Sequence, residues 1–196
     1  MLQFITHHCE KYSIIEQVKL VLEGGCKWIQ LRMPELSNDE AKATIDEIIP
    51  ICKEYDAILV VENYVELIKE LEVTGVHINK KDTPIADIRN SLEGGPIIGV
   101  TVNTASEIFA LKGIDVDYVS IISSKEENNL SHYAKIVDEV RTVGVELPIV
   151  AVGEFSIENV EAVMNTGVNG IALSESIINA ENPTEYTKTI LSKLYN

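Results

Sequence analysis

The stretch "WIQLRMPELSNDEAKATIDEIIPICKEYDAILVV", residues 28–61, decides the fold. It opens with a short apolar run, Trp28–Leu31, in which Gln30 is the one polar interruption, and it closes with another, Ile58–Val61. Between them Ala41, Ile45, Ile48, Ile49 and Cys52 recur at the spacing of one helical face. "SNDE", beginning at Ser37, has the Ser-x-x-Glu spacing of a capping box at the start of that helix. Both apolar runs are short and rich in branched residues, as strands covered on two faces must be.

The same unit recurs along the chain. Further strands are expected at Leu2–Thr6, Gly75–Ile78, Pro96–Val100, Tyr118–Ile122, Pro148–Val152 and Gly170–Leu173. Ile14, Ile15, Val18, Val21 and Leu22 share a helical face, behind a second capping box at Ser13; "TASE" at Thr104 has the same spacing. Thr83 before Pro84 predicts an N-cap followed by proline in the first turn. Gly24, Gly113, Gly144 and Gly167 fall where helices need a left-handed cap. Strict alternation of strand and helix predicts a parallel sheet. Eight such units predict closure into a compact (β/α)8 TIM barrel, one domain over residues 1–196. A doubly wound open sheet is the alternative, but the first turn has no GxGxxG and no topological switch point can be read.

With 196 residues and 45% apolar composition the chain can bury a full core. No apolar run approaches 18 residues, and "MLQFITHHCEKY" lacks the basic and apolar regions of a signal peptide, so a cytoplasmic protein is expected. Three widely spaced cysteines, Cys9, Cys26 and Cys52, fit buried thiols better than a disulfide set or metal site. The formal net charge of −15 argues against nucleic acid and anionic membranes as partners, since both need a positive field. It leaves room for a small anion held by a local cluster of arginine, lysine and backbone N–H groups.

In a barrel of this kind function gathers at the C-terminal ends of the strands. Thr6, His7 and His8 follow the first strand, Gln30 and Arg32 the second, and Glu62 and Asn63 the third. Asn79, Lys80, Lys81 and Asp82 follow the fourth, Thr101 and Asn103 the fifth, and Ser123, Ser124 and Lys125 the sixth. Gly153 and Glu154 follow the seventh, and Ser174 and Glu175 the eighth. An arginine fork, hydroxyls, amides and carboxylates together suit a phosphorylated substrate, with carboxylates available for a bridging Mg2+.

The segments "GGCKWIQLR" (Gly24–Arg32), "GVHINKKDTP" (Gly75–Pro84), "IIGVT" (Ile97–Thr101), "LPIVAVGEF" (Leu147–Phe155) and "GVNGIALSESI" (Gly167–Ile177) carry a resemblance. In order and spacing, from Gly24 to about Pro183, they resemble the family of thiamine-phosphate synthase and the related thiazole tautomerase. That resemblance implies a (β/α)8 barrel. It also implies coupling of a hydroxymethylpyrimidine diphosphate to a thiazole phosphate, with pyrophosphate and thiamine phosphate as products. The partners it implies are these two small molecules; a homo-oligomer is compatible with it. It assigns substrate contacts to Gln30, Arg32, Thr101, Gly153 and Ser174, and a Mg2+ ligand to Asp82.

The chain departs from the family pattern at several of these points. Pro34 stands where a lysine is expected, Glu62-Asn63 where an Asn-Asp pair is expected, and Asn79-Lys80 where Gly-Gln is expected. An extended backbone is expected to turn Glu62 away from the position of the missing metal carboxylate. The loop after the sixth strand lacks the family's Thr-x-Thr-Lys motif, and Lys125 is not its equivalent by spacing. Glu154 replaces a glycine and Glu175 a small residue, bringing negative charge toward a phosphate site unless both face solvent. Gln30 and Arg32 also fit a plain strand end with a surface ion pair, Asp82 fits a helix start, His77 fits a satisfied core histidine, and His7–His8 fit rim polarity. Two functions are expected from this pattern. One is a thiamine-phosphate synthase of weakened activity. The other is a catalytically silent relative that binds a phosphorylated heterocycle or a protein partner.

Overall fold

The structure, a computed structural model, describes residues 1–79, 84–92, 95–122 and 130–195. Among them eight parallel strands close in chain order, each pairing with the next and the eighth with the first. They are β1 (Leu2–Ile5), β2 (Trp28–Leu31), β3 (Ile58–Glu62), β4 (Gly75–Ile78), β5 (Ile97–Val102), β6 (Tyr118–Ile122), β7 (Ile149–Val152) and β8 (Gly170–Leu173). Helices α1 (Ile14–Glu23), α2 (Asn38–Glu54), α3 (Val65–Ile68), α4 (Ile85–Ser91), α5 (Ala105–Ala110), α6 (Leu130–Thr142) and α7 (Val160–Met164) each link one strand to the next. After β8 come α8 (Glu175–Ile178) and α9 (Pro183–Tyr195). Closure rules out the open doubly wound sheet. None of the helices described is long and apolar enough to cross a membrane.

Side-chain parity explains why the strands read as unbroken apolar runs. Outward residues such as Phe4, Ile29, Leu31, Leu59, Val61 and Ile171 pack under the helices in one large buried cluster. Inward residues Ile5, Trp28, Tyr118, Val150 and Ala172 form a second, smaller cluster inside the barrel. Alternate residues therefore bury their side chains on opposite faces. Two boundaries differ from expectation in a way that matters: β3 runs one residue further, through Glu62, and β5 two further, through Val102.

Local signals at the helix ends are mostly realised. Ser13 and Glu16, and likewise Ser37 and Glu40, form reciprocal capping boxes. Thr104 accepts the Glu107 amide, but the Glu107 carboxylate turns to the backbone of Asn103, so this box is half made. Gly24 does not supply the left-handed turn after α1; it stays right-handed at φ −73° and Gly25 takes φ +94°. Thr83 lies outside the described residues, and Pro84 is the residue before α4 rather than its first turn. Cys26 and Cys52 are buried free thiols that burial pushes up to about 11 and about 12 respectively.

One rung of the barrel governs the interior. Glu62, His77, Gly99 and Tyr118 stand side by side on β3 to β6. The Tyr118 ring fills the place left by Gly99, where a Cβ would lie 2.1 Å from ring carbon Cζ. The phenol thereby reaches His77 Nδ1 at 2.9 Å, and His77 Nε2 reaches Thr101 Oγ1 at 2.8 Å. His77 is thus a satisfied core histidine. Trp28 meets Tyr118 edge-on, with ring centroids 4.8 Å apart.

Two measurements test this interior. Gly99→Ala forces the Tyr118 ring aside, and is expected to lower stability by at least about 2 kcal/mol in denaturant titration. His77 is held neutral by burial, its pKa lowered from 6.5 to about 3. Above pH 6.5 it is neutral in both folded and unfolded chains. Below that, the unfolded chain takes a proton that the folded chain refuses, so stability falls with pH by up to about 1.4 kcal/mol per unit until about pH 3. His77→Gln should therefore lose about 1.6 kcal/mol less than the parent between pH 6.5 and pH 5 in urea unfolding.

Candidate active site at the C-terminal mouth of the barrel

The corner formed by β1, β2 and β3 holds the first group. Gln30 points inward from β2, with its residue 2% exposed. Its Oε1 accepts from Gln3 Nε2 at 3.1 Å, and its Nε2 donates to Glu62 Oε2 at 2.8 Å. Arg32 is anchored by its backbone: its N–H donates to Thr6 Oγ1 at 2.9 Å. Its side chain is 50% exposed, and Nε lies 4.0 Å from Glu62 Oε1.

Glu62 therefore faces the mouth, contrary to the expectation from its neighbour. The reason is parity. Because β3 continues through Glu62, this residue shares the inward face of Ile58 and Val60, and Val60 is in register with Gln30. The chain leaves the strand only at Asn63, which takes φ +63°. Asn63 Oδ1 then accepts the Asn79 N–H at 3.0 Å, so its side chain secures the loop after β4. Tyr64 Oη donates to the carbonyls of Met33 at 2.5 Å and Leu36 at 3.1 Å, which ties the loop after β2 to β3. A cavity of about 250 Å3 lies here, lined by Met33, Pro34, Leu36, Glu62, Asn63 and Tyr64 among others.

Thr101 belongs to a second group, joined to the first by hydrogen bonds. Gln3 Nε2 also contacts Tyr118 Oη, at 3.2 Å. One assignment uses each donor once. Gln3 donates to Tyr118, Tyr118 donates to neutral His77 Nδ1, and His77 Nε2–H donates to Thr101 Oγ1. It leaves the Thr101 hydroxyl proton for the mouth.

The third group lies across β7, β8 and β1. Ser174 Oγ donates to the Ile5 carbonyl at 2.7 Å and meets His7 Nδ1 at 2.9 Å, so its own proton is committed. Gly153 N–H points to the Ala172 carbonyl at 3.4 Å, and a Cβ at Gly153 would meet the Phe155 ring at 2.8 Å. Glu154 Oε2 accepts the Ser176 N–H at 2.9 Å. That amide is in the first turn of α8, where Ser174 makes no side-chain cap, so the carboxylate supplies the missing acceptor. Burial lowers the His7 pKa; Glu175 and Glu154 pull it up, while Arg32 and His8 push it further down. Glu154 and Glu175 are both exposed, so solvent screens the charge that they bring to the mouth.

The resemblance implies Mg2+ with Asp82 as ligand; Asp82, like Lys80, Lys81 and Lys125, lies outside the described residues. Among the described residues no three His, Cys, Asp or Glu side chains gather as a metal site. The donors at the β3 corner do not fit one. Glu62 gives Oε2 to Gln30 and turns Oε1 toward Arg32, while Asn63 gives Oδ1 to the Asn79 amide. A divalent cation would have to share Glu62 with a guanidinium, and no step below is routed through it.

The mouth thus brings Gln30 and Arg32 together with Glu62, Thr101 with His77, and Ser174 with His7. Residue spacing alone placed Thr6 and His7 on the rim, but it missed Gln3 and Tyr118 as site-building groups and misplaced Glu62. The missing signal was the inward parity of each strand, counted from a residue known to be inside, such as Gln30.

Comparison with known proteins agrees with this geometry. The family model described as thiamine monophosphate synthase matches residues 2–177. A thiamine-phosphate synthase of Bacteroides fragilis is 44% identical over 200 residues, covering 97% of this chain and 98% of its own length. That of Bacteroides thetaiotaomicron is 42% identical, covering 97% of this chain and 96% of its own. The solved thiamine phosphate pyrophosphorylase from Pyrococcus furiosus superposes with a TM-score of 0.87 at 26% identity, over 98% of this chain and 94% of that one. With the barrel closed and its matched residues gathered at one mouth, the chain belongs to the thiamine monophosphate synthase family.

Proposed function

We propose that this chain is a cytoplasmic, single-domain enzyme of the thiamine-phosphate synthase type. It joins a hydroxymethylpyrimidine diphosphate to a thiazole phosphate, and turns over slowly. The observation that carries this reading is the end of β2. Gln30 is held by Gln3 and Glu62 at the floor of the mouth, and Arg32 stands above it with half its side chain free for phosphate oxygens. Thr101, oriented through His77, offers a hydroxyl from the neighbouring group. Catalysis of this kind consists mainly of holding two partners together and stabilising a leaving diphosphate.

Slow turnover follows from charge. Glu62 offsets Arg32 at the diphosphate end, where Pro34 contributes no cation. At the other end Glu154 already occupies the Ser176 amide that a thiazole phosphate would need. The same bond favours a second reading, a silent relative that binds one heterocycle without coupling it.

With both substrates and Mg2+ in the buffer, thiamine phosphate formation is expected below about 1 per second, a tenth of the typical enzyme median. A rate at that median would refute the slow-turnover reading, and binding with no product would favour the silent relative. Arg32→Ala should weaken pyrophosphate binding by about tenfold in calorimetry, the low end for a charge-assisted contact on a half-exposed side chain. Glu154→Ala with Glu175→Ala should strengthen thiazole phosphate binding by about tenfold; no gain would show that these carboxylates do not oppose it.

A further inference from the structure

We propose that His7 is a phosphate ligand of the mouth: when a phosphate monoester binds beside Ser174, His7 takes up a proton on Nε2 and holds the ester by a charge-assisted hydrogen bond. The proposal rests on the reading above of the β7–β8–β1 side as the thiazole phosphate end, and adds to that end a residue from the loop after β1.

Placement is the first support. The main chain of His7 is clamped by Gln17 of α1, a residue with no exposed surface. The His7 N–H donates to Gln17 Oε1 at 3.2 Å, and Gln17 Nε2 donates to the His7 carbonyl at 2.7 Å. The ring then meets Ser174 Oγ through Nδ1 at 2.9 Å. A buried glutamine and a mouth serine thus fix a loop histidine at both its backbone and its ring.

The direction of the hydrogen bonds is the second support. Ser174 gives its only proton to the Ile5 carbonyl at 2.7 Å, so the bond to His7 runs from Nδ1–H to Oγ. Neutral His7 therefore carries its proton on Nδ1, and Nε2 keeps a lone pair with no hydrogen-bond partner among the described residues. A second proton on Nε2 breaks no existing bond. His77 is the contrast, since Tyr118 and Thr101 engage both of its ring nitrogens.

Charge is the third support. The charged and titratable groups that face His7 are Glu175 after β8, Glu154 after β7, Arg32 after β2 and its neighbour His8; α1 contributes only the uncharged Gln17. Burial outweighs the two screened carboxylates and lowers the His7 pKa, so without ligand the ring is mostly neutral at pH 7. A phosphate dianion beside Ser174 reverses that balance and favours the charged ring. The ester needs this donor because Glu154 already occupies the Ser176 amide. A phosphate monoester has its second pKa at about 6, so the complex holds one proton, drawn from solvent, that the free partners near neutral pH mostly lack.

The test is calorimetric titration of the full chain with thiazole phosphate, in buffers of different ionisation enthalpy, which counts the protons taken up. The parent is expected to take up at least about half a proton per ligand at neutral pH, and to bind at least about threefold more tightly at pH 7 than at pH 8. His7→Gln is expected to take up none and to lose this pH dependence. His7→Asn serves the same comparison if circular dichroism shows that His7→Gln does not fold. The thiazole alcohol, which lacks the phosphate, is expected to bind without proton uptake. Nitrogen-15 NMR of the free protein is expected to show His7 protonated on Nδ1. Uptake unchanged in the folded variant, equal uptake with the alcohol, or a proton on Nε2 of the free neutral ring overturns the inference. Thiazole phosphate bound without proton uptake sinks the inference alone, whereas no binding at either pH sinks the functional reading with it.

Discussion

A closed barrel of eight short strands must fill its own interior, and the inward half of every strand is committed to that task before any chemistry begins. Here the filling is partly polar. Gln3 contacts both Gln30 and Tyr118, Gln30 holds Glu62, and Tyr118 holds His77, which holds Thr101. Side chains from β1 to β6 thus form one hydrogen-bonded unit whose geometry depends on the vacancy at Gly99. Such a unit is rigid because each buried polar group would lose its partner if another moved. The floor of the mouth is therefore preorganised, and the Gln30 and Thr101 side chains need no separate ordering.

That rigidity also fixes the consequences of substitution. A carboxylate at position 62 cannot swing to solvent without abandoning Gln30, so its charge stays in the mouth. The relation to Arg32 is of a different kind. At 4.0 Å, with the arginine half exposed, the pair is worth little to stability. Its effect is on what the arginine can attract. Glu62 thus sets the electrostatic character of this corner of the mouth.

Much of this was legible in the residues. Apolar runs separated by amphipathic segments predicted the barrel, because parallel strands buried on both faces leave that trace. The reciprocal boxes at Ser13 and Ser37 also formed as spacing suggested. What escaped notice depended on single-residue boundaries. The polar residue Glu62 looked like loop, yet it is the last inward rung of β3. Gly24 was read as the left-handed residue, but Gly25 is the one that turns. The Gln3–Tyr118 contact joins residues 115 apart in sequence, and local spacing carries no trace of it. Alternation along a strand is a strong signal only once one residue's side is known, since a shift of one reverses them all.

The bond from Glu154 to the Ser176 amide can be viewed as an internal ligand. The carboxylate is tethered beside its acceptor site by the fold, so it competes at an effective concentration on the order of millimolar or more, regardless of what the solution contains. Under the proposed function, a thiazole phosphate docking on that amide would have to displace it and would meet a lowered apparent affinity.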